Sequence, residues 1–428
     1  MKILVIGQGG REHALAWRAL GCEGVTEVLV APGNAGTARE PGLRNVEVAS
    51  DDFDGLVSLA RRESVALTLV GPEAPLVAGI RDRFDAEGLP CFGPTAAAAQ
   101  LEGSKAFSKD FLARHGIPTA RYRTFTDAAA AEAYIRAEGA PIVVKADGLA
   151  AGKGVVVAAD VDEAVAAARS MLSGDAFGGA GRQVVVEEFL AGEEASFICL
   201  CDGTRALPFA SSQDHKARDD GDTGPNTGGM GAYSPAPVIT DAVHDRVMRE
   251  VIEPTMAGMA ADGHPYQGFL YAGLMIMPDG APRVIEFNCR FGDPEAQPVM
   301  MRLRSDLVAL CRQAAAGALG DVTLDWDPRV ALGVVMAAGG YPDRYRSGDV
   351  IDGLDGVDAE DLKVFHAGTR LDGGRVLTAG GRVLCVVGLG ADAAAAQRRA
   401  YEGVARIHWA DRYFRRDIGH RAIARLAT

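Results

Sequence analysis

Apolar runs alternate with amphipathic stretches over the first hundred residues of the chain. Short apolar runs predict four β-strands, at residues 1–8, 27–31, 66–70 and 89–93. The segments between them have the spacing of amphipathic helices, at residues 11–20, 54–63 and 76–87. Strands that alternate with helices form a parallel sheet with right-handed crossovers. The pattern therefore predicts an N-terminal parallel α/β domain over residues 1–103.

The pattern changes after a predicted helix at residues 104–115. A helix at 162–172 lies among three short apolar runs that predict strands, at residues 142–145, 155–158 and 183–190. This is typical of a small α+β module inside a larger domain, which we place at residues 104–325. After residue 325, short strands separated by Gly/Asp turns and followed by one helix predict an antiparallel β-rich C-terminal domain over residues 326–428.

The composition narrows the class of protein. Of 428 residues, 48% are hydrophobic and 24% are charged, which excludes a disordered chain. The formal net charge of −13 argues against non-specific nucleic-acid binding, which needs a dense basic face. The longest apolar runs are far shorter than the ~20 residues of a membrane span. The charge and the short apolar runs thus predict neither nucleic-acid nor membrane partners. The seven cysteines form no CxxC pair, so we expect inert thiols in a reduced, cytoplasmic protein.

The chain has 53 glycines, and several lie in the loop directly after the first strand. The segment GQGGREH is not a dinucleotide fingerprint, because Glu12 replaces the third glycine and the second strand ends in Ala31 rather than in an acid. Backbone N–H groups of Gly9 and Gly10 at a helix start favour a phosphate instead. We expect a phosphorylated substrate here, and a turn without a ligand is the alternative.

A second glycine-rich loop, GLAAGKG at residues 148–154, resembles a phosphate-binding P-loop but is one residue too short and precedes a strand. Two strands joined in this way form a flap whose N–H groups and Lys153 close over phosphates. An ordinary long hairpin loop is the alternative. Lys145 lies among apolar neighbours in the strand before the flap and needs an anionic partner, either a carboxylate or a phosphate.

Two acidic clusters offer further chemistry. In the segment VVVEEFLAGEE, at residues 184–194, a strand is followed by a short hinge. The backbone of residues 187–190 could present a donor and an acceptor to adenine, and Glu194 could bind ribose hydroxyls. The alternative is a solvated edge. Period-two alternation places Glu286 and Asn288 on one face of a strand. Two oxygen ligands at this spacing suit Mg²⁺, and a structural carboxylate–arginine pair is the other interpretation.

The segment at residues 211–237, SSQDHKARDDGDTGPNTGGMGAYSPAP, has little periodicity. Loops this long inside a compact domain are usually functional or disordered. Apolar Met230 and Tyr233 favour a functional loop, and Asp214 and Lys216 supply charge at its start. We call residues 211–237 the glycine tract.

These motifs stand in an order that resembles the ATP-grasp superfamily. The glycine tract, the motif RFGDPE at residues 290–295, the opening GQGGREHAL and GPEAPL at 71–76 resemble the phosphoribosylamine–glycine ligase (glycinamide ribonucleotide synthetase) family in particular. The resemblance covers essentially the whole chain. It implies a pre-ATP-grasp N-terminal domain, ATP-grasp domains with a mobile lid at about residues 121–191, and a β-rich C-terminal domain.

The resemblance implies that ATP, glycine and 5-phosphoribosylamine give ADP, phosphate and glycinamide ribonucleotide through a glycyl phosphate, as a step of de novo purine biosynthesis. Another ATP-grasp carboxylate–amine ligase or a carboxylase is the alternative enzyme. A nicotinamide-dependent dehydrogenase and a non-enzymatic nucleotide-binding module are rivals from other classes. We expect a monomer.

The resemblance also implies a role for each candidate site residue. The expected catalytic residues are Arg290, Lys145 and Asp214. ATP is expected to bind Lys105, Lys145, Gly152, Lys153, Glu187, Glu188, Phe189, Leu190 and Glu194. The other substrates are expected to bind Gly9, Gly10, Glu73, Asp214, Lys216 and Arg290. The expected ligands of Mg²⁺ or Mn²⁺ are Glu286 and Asn288.

Overall fold

A computed structural model describes residues 1–149, 154–173 and 182–426 of the chain. Gly152 and Lys153, two residues predicted to bind ATP, lie outside the described residues. Within the described ranges, no helix is long and apolar enough to cross a membrane. The seven cysteines are all buried as free thiols.

The N-terminal part is a parallel sheet flanked by helices. Its strands are β1 (Lys2–Gly7), β2 (Glu27–Pro32), β3 (Leu43–Asn45), β4 (Val65–Val70) and β5 (Cys91–Phe92). Its helices are α1 (Gly10–Leu20), α2 (Ala35–Arg39), α3 (Phe53–Arg62), α4 (Glu73–Val77) and α5 (Ile80–Ala86). The strand order is β3-β2-β1-β4-β5, and all pairs are parallel. The chain reverses its winding between β1 and β4, which is where parallel α/β sheets bind ligands.

A small antiparallel module follows the helices α6 (Gln100–Gly103) and α7 (Lys105–Arg114). Its strands are β6 (Tyr122–Phe125), β7 (Ile142–Ala146), β8 (Val155–Ala158) and β9 (Val184–Glu188), in the order β6-β9-β7-β8. The helices α8 (Ala128–Glu138) and α9 (Val161–Leu172) belong to the same module. Its apolar side chains form a small core of their own, as the predicted α+β module requires.

The glycine tract contains strands that its sequence pattern does not predict. After β10 (Glu193–Asp202) and β11 (Ala206–Pro208), the chain forms β12 (Gln213–Asp214), β13 (Ala217–Asp219), β14 (Thr223–Asn226) and β15 (Gly231–Ser234). Each of the four strands in the tract has two to four residues, which is too short for an alternating pattern to show.

The central part of the chain contains a four-stranded antiparallel sheet. The chain continues through α10 (Asp241–Val247), a π-helical turn (Met248–Ile252), α11 (Glu253–Ala261), β16 (Gln267–Ile276) and β17 (Pro282–Asn288). The sheet order is β11-β10-β16-β17. The helices α12 (Ala296–Arg302) and α13 (Leu307–Ala315) follow. The helical stretch at residues 241–261 is thus interrupted by one π turn.

The C-terminal part is an antiparallel sheet covered by a helix, as predicted. Its elements are β18 (Val330–Ala337), β19 (Leu362–His366), β20 (Thr369–Asp372), β21 (Arg375–Thr378), β22 (Arg382–Gly390), α14 (Ala393–Arg406) and α15 (His420–Leu426). The main sheet has the order β12-β15-β18-β22-β19. One strand of the glycine tract, β15, therefore pairs with β18 across the predicted boundary at residue 325, and β12 joins the same sheet through β15. The predicted fold class is confirmed, whereas the domain boundaries stay a prediction.

Candidate active site

Three buried charges form the end of the site where phosphates are expected. Lys145 on β7 places its Nζ 3.0 Å from Oε1 of Glu187 on the neighbouring strand β9. Lys109 on α7 places its Nζ 2.9 Å from the other oxygen of Glu187. All three side chains are at most 5% exposed. Lys145 therefore has a carboxylate partner, which is one of the two alternatives that the sequence left open, and the Glu187 side chain contacts two lysines.

The close approach of two lysines changes the proton affinity of one of them. Burial lowers the pKa of Lys109 to about 8; the Glu187 carboxylate opposes this shift and the charge of Lys145 adds to it. Lys145 also donates a hydrogen bond to the backbone oxygen of Ile285 at 3.0 Å. Because Lys145 and Lys109 share the Glu187 carboxylate as an ion-pair partner, a polyanion that entered here would meet more positive than negative charge at this cluster.

Lys105 and Asp147 fix the start of the predicted flap. Ser104 caps α7, and its hydroxyl and the N–H of Ala106 both donate to Oδ1 of Asp147 at 3.1 Å. The Nζ of Lys105 donates to the backbone oxygen of Gly148 at 2.8 Å. Burial lowers the pKa of Lys105, and the Glu286 carboxylate partly opposes it. These contacts hold a third lysine, Lys105, beside the phosphate end of the site.

A cleft of about 590 Å³ lies beside this lysine cluster. The linker between β9 and β10 forms one wall through Phe189, Leu190 and Glu194, and the glycine tract forms another through Asp214 and Lys216. Phe189 is 43% exposed, which is unusual for a phenylalanine and offers a stacking surface at the rim. The Glu188 carboxylate lies 2.8 Å from Nε of Arg121.

A chain of alternating charges runs along one side of the cleft. The Nζ of Lys216 is 3.2 Å from Oε2 of Glu194 and 3.6 Å from Oε1 of Glu286. Burial raises the pKa of Glu286, but Lys216, Lys145 and Lys105 outweigh it and hold that pKa at about 2. Glu286 and Asn288 lie two residues apart at the end of β17. An ionised carboxylate and an amide oxygen on one strand face fit a hard divalent cation.

Two further carboxyl groups lie deeper in the site. Glu295 is 2% exposed and accepts hydrogen bonds from the hydroxyls of Ser196 and Tyr271, both at 2.9 Å. Burial, together with the Glu295 charge, raises the pKa of Asp214 well above its ordinary value. Asp214 on β12 is therefore the carboxyl group of the site that most readily keeps or takes a proton.

Arg290 joins the N-terminal sheet to the central sheet. Its Nε lies 3.2 Å from Oε2 of Glu73 at the start of α4, and its Nη2 lies 3.0 Å from Oε1 of Glu102. Burial by itself would lower the pKa of Arg290, but the Glu102 and Glu73 carboxylates outweigh this effect and raise the pKa above its ordinary value. The guanidinium is held in place by two carboxylates, and it lies near the switch point of the parallel sheet.

The glycine-rich turn after β1 is shaped by Glu12. The carboxylate accepts a hydrogen bond from the N–H of Gly9 at 2.5 Å. A Cβ atom on Gly7 or Gly71 would come within 2.4 Å of the Glu12 side chain, so the acid fills the space between both loops. The N–H of Gly9 thus has an internal partner, and Gly10 is the first helical residue, where the N–H has no acceptor within the helix.

The structure brings nearly all of the predicted residues that it describes to one region, and it adds four that the sequence interpretation missed. Lys109 is one turn beyond Lys105 on α7, so the i, i+4 spacing could have indicated it. Glu295 and Asp293 belong to the quoted RFGDPE motif. No sequence signal indicates Glu102, because its contact with Arg290 spans 188 residues of chain.

A group of His215, Asp222 and His420 has the spacing of a metal site. However, Asp222 also lies 2.9 Å from Nη1 of Arg415 and 2.7 Å from Nη2 of Arg421. Each oxygen of the Asp222 carboxylate thus accepts a hydrogen bond from one guanidinium group, so neither oxygen is left to bind a cation. We therefore assign this group to an ion-pair cluster that ties the glycine tract to the C-terminal segment.

Comparison with protein families gives three consecutive matches. They are "Phosphoribosylglycinamide synthetase, N domain" at residues 1–102, "ATP-grasp (A) domain" of the same synthetase at 103–296, and its "C domain" at 331–421. Among curated proteins, the chain is 67% identical over 425 residues to phosphoribosylamine–glycine ligase of Allochromatium vinosum, covering 99% of each chain. It is 65% identical over 429 residues to that of Xylella fastidiosa, covering 100% of each.

Solved structures agree with these matches. The crystal structure of phosphoribosylamine–glycine ligase from Thermotoga maritima has a TM-score of 0.83 at 33% identity, covering 98% of this chain and 100% of that one. The biotin carboxylase domain of a 2-oxoglutarate carboxylase from Hydrogenobacter thermophilus, solved with MgADP, has a TM-score of 0.73 at 16% identity, covering 96% and 91%. The second likeness concerns the fold alone.

Proposed function

The chain belongs to the phosphoribosylglycinamide synthetase family, and from this membership we infer that it is an ATP-dependent ligase that joins glycine to 5-phosphoribosylamine. The products are glycinamide ribonucleotide, ADP and phosphate, and the reaction is a step of purine biosynthesis. The observation that carries this function is the run of three domain matches of one synthetase, together with 67% identity over 99% of the chain. The resemblance stated from the sequence is thereby confirmed.

The chemistry accounts for the charges of the site. A glycine carboxylate is a poor electrophile, so ATP is expected to convert it to a glycyl phosphate with a good leaving group. The amine of phosphoribosylamine then attacks the acyl carbon and releases phosphate. The protein has to stabilise the phosphoryl charge and exclude water while this happens. A cluster of lysines beside the cleft is suited to stabilising the phosphoryl charge.

We assign the nucleotide to the cleft and to the lysine cluster beside it. We assign Lys105 and Lys145 to the phosphates, and Gly152 and Lys153 of the predicted flap remain part of this proposal. The linker carrying Phe189 is placed to hold adenine. The remaining nucleotide contacts are assigned to Glu187, Glu188, Leu190 and Glu194. The Glu188 side chain is engaged by Arg121, so its backbone is the part available to the nucleotide.

Enzymes of the ATP-grasp family use ATP together with a divalent metal ion. We assign that ion to Glu286 and Asn288, because Lys216 keeps the Glu286 carboxylate ionised and Asn288 adds a neutral oxygen at the same strand end. Bound there, Mg²⁺ or Mn²⁺ would neutralise phosphate oxygens.

We place phosphoribosylamine and glycine between the cleft and the glycine-rich turn. The residues assigned to them are Gly9, Gly10, Glu73, Asp214, Lys216 and Arg290. Asp214 has the raised pKa that suits a group taking a proton from the attacking amine. Arg290 is placed to stabilise the glycyl carboxylate and the transferred phosphoryl group. The proposal also includes three structural units, at residues 1–103, 104–325 and 326–428, with a lid at about 121–191. It further includes a monomeric state and a cytoplasmic location.

A product assay tests the function directly. ADP release by the purified chain should require ATP, glycine and phosphoribosylamine together, and mass spectrometry should show glycinamide ribonucleotide. ADP release that depends on bicarbonate, or on glycine with a different amine, would favour the alternative carboxylase or carboxylate–amine ligase. A reaction at equal rate without phosphoribosylamine would contradict the proposed function.

A further inference from the structure

A single arginine of the C-terminal sheet reaches into the region of the proposed substrate site. Arg382 is the first residue of β22, and its Nη1 donates to the backbone oxygens of Gly228 and Asp293, both at 2.6 Å. Its Nη2 lies 3.3 Å from Oδ2 of Asp293. Its side chain is 21% exposed. One guanidinium therefore holds the glycine tract and the RFGDPE motif at the same time.

The segment of the tract that Arg382 holds touches a proposed catalytic group. Gly229 has φ +110°, and a Cβ atom there would lie 2.5 Å from Cδ of Pro294 and 3.4 Å from Oδ2 of Asp214. The backbone thus lies directly on the RFGDPE motif and beside Asp214. Gly228 receives a second anchor from the C-terminal part, since its N–H donates to the hydroxyl of Tyr341 at 3.1 Å. A shift of this segment would move the surroundings of Asp214.

Asp293 carries the same constraint to the glycine-rich turn. Its Oδ1 accepts a hydrogen bond from Nε2 of Gln297 at 2.8 Å. A Cβ atom on Gly10 would lie 2.4 Å from that Nε2, and one on Gly9 would lie 3.4 Å from Oδ2 of Asp293. Burial raises the pKa of Asp293, but Arg382 outweighs it, so the group stays ionised. The charge pair with Arg382 therefore fixes the side chains that pack against the turn.

We propose that Arg382 is a positioning residue for the phosphoribosylamine and glycine end of the site, so that the C-terminal part of the chain helps to hold the residues assigned to these substrates in place. It acts through the Gly228–Gly229 backbone and through Asp293, and it does not line the cleft that we assign to the nucleotide. This inference rests on the proposed function. The carbonyl contacts require two N–H groups in fixed directions, which a guanidinium provides and an ammonium does not.

The test compares Arg382→Ala and Arg382→Lys with Arg370→Ala, a matched control on β20 whose arginine is 53% exposed and pairs with Asp372. We expect kcat/KM for phosphoribosylamine and for glycine to fall on the order of 10²-fold in Arg382→Ala, because a misplacement of about 1 Å has that cost. The KM for ATP should stay within twofold of the wild type. Added guanidinium at non-denaturing concentration should restore part of the activity of Arg382→Ala and none of that of Arg382→Lys.

Two results would overturn the proposal. One is an unchanged kcat/KM for both substrates in Arg382→Ala. The other is a parallel loss of all kinetic parameters, ATP included, without rescue by guanidinium, which would indicate a purely structural residue. If Arg382→Ala does not fold, Arg382→Lys decides by the same comparison of KM values. The wild type runs in the same assay, so a failure of the proposed function appears as absence of phosphoribosylamine-dependent ADP release before any variant is judged.

Discussion

Glu187 allows a sharp test of the buried charge cluster. The substitution Glu187→Gln keeps the shape of the side chain and removes its charge from between Lys145 and Lys109, at 3.0 and 2.9 Å. At an effective dielectric constant of about 20, each contact corresponds to ~5 kcal/mol of Coulomb attraction. Loss of one partner from a buried pair costs about 3–5 kcal/mol. We expect the free energy of unfolding at pH 7 to fall by about that amount, and not by the sum of both contacts, because Lys109 can release its proton.

The pH dependence of this loss has a definite sign. In the wild type, the pKa of Lys109 is about 8 in the folded protein and ~10.4 in an unfolded chain. The unfolded state binds more protons between these values, so this lysine destabilises the fold at low pH and the penalty disappears as the pH rises. Without the Glu187 carboxylate the folded pKa drops further. The deficit of Glu187→Gln relative to the wild type should therefore be larger at pH 6 than at pH 9, because above about pH 8 Lys109 is neutral in both folded proteins.

Urea denaturation followed by circular dichroism measures this difference at pH 6, 7 and 9. The adjacent Glu188→Gln is the matched control, because the partner of Glu188, Arg121, is 73% exposed and such a pair is worth below about 1 kcal/mol. If Glu187→Gln costs no more than Glu188→Gln, or if its deficit grows with pH, the buried charge cluster does not have the energetics argued here.

Three further predictions concern the metal, the glycine-rich turn and the C-terminal segment. The double variant Glu286→Ala with Asn288→Ala should lose kcat by about 10²–10³-fold and need more Mg²⁺ for half-maximal rate, whereas Asp279→Ala in an exposed turn should change neither; a fully active double variant refutes the metal assignment. Gly10→Ala places a methyl group 2.4 Å from the Gln297 amide and should raise the KM for phosphoribosylamine but not for ATP, with Gly320→Ala, which has open space, as control; equal KM values would remove Gly10 from the site. Asp222→Asn should cost about 1–3 kcal/mol of stability at pH 7, because the Arg415 side chain it contacts is 0% exposed. A hydrogen bond with His215 and the ion pairs with Arg415 and Arg421 depress the pKa of Asp222, so its contribution is present above ~3.9 and is lost only as the pH falls below that value; thermal denaturation from pH 3 to 7 that shows a constant gap would contradict this.

The sequence determined those features of the fold that depend on local pattern. Apolar runs separated by amphipathic segments indicated the parallel N-terminal sheet, because side-chain periodicity reports burial within one element. Lys145 was recognisable as a lysine that needed an anion, since its neighbours in the strand are apolar. Glu286 and Asn288 could be paired because a strand has a period of two. The motif order was sufficient to indicate the family.

Tertiary structure decided what depends on contacts between distant segments. The strands of the glycine tract are too short to show a period, and β15 exists because β18 pairs with it. The partner of Lys145 proved to be Glu187, which the sequence placed beside adenine, because only the register of β7 and β9 brings them together. Arg382 lies 154 residues from Gly228, and no local pattern encodes such a contact. Charges and glycines were visible in the sequence, whereas their partners were fixed by how the sheets meet.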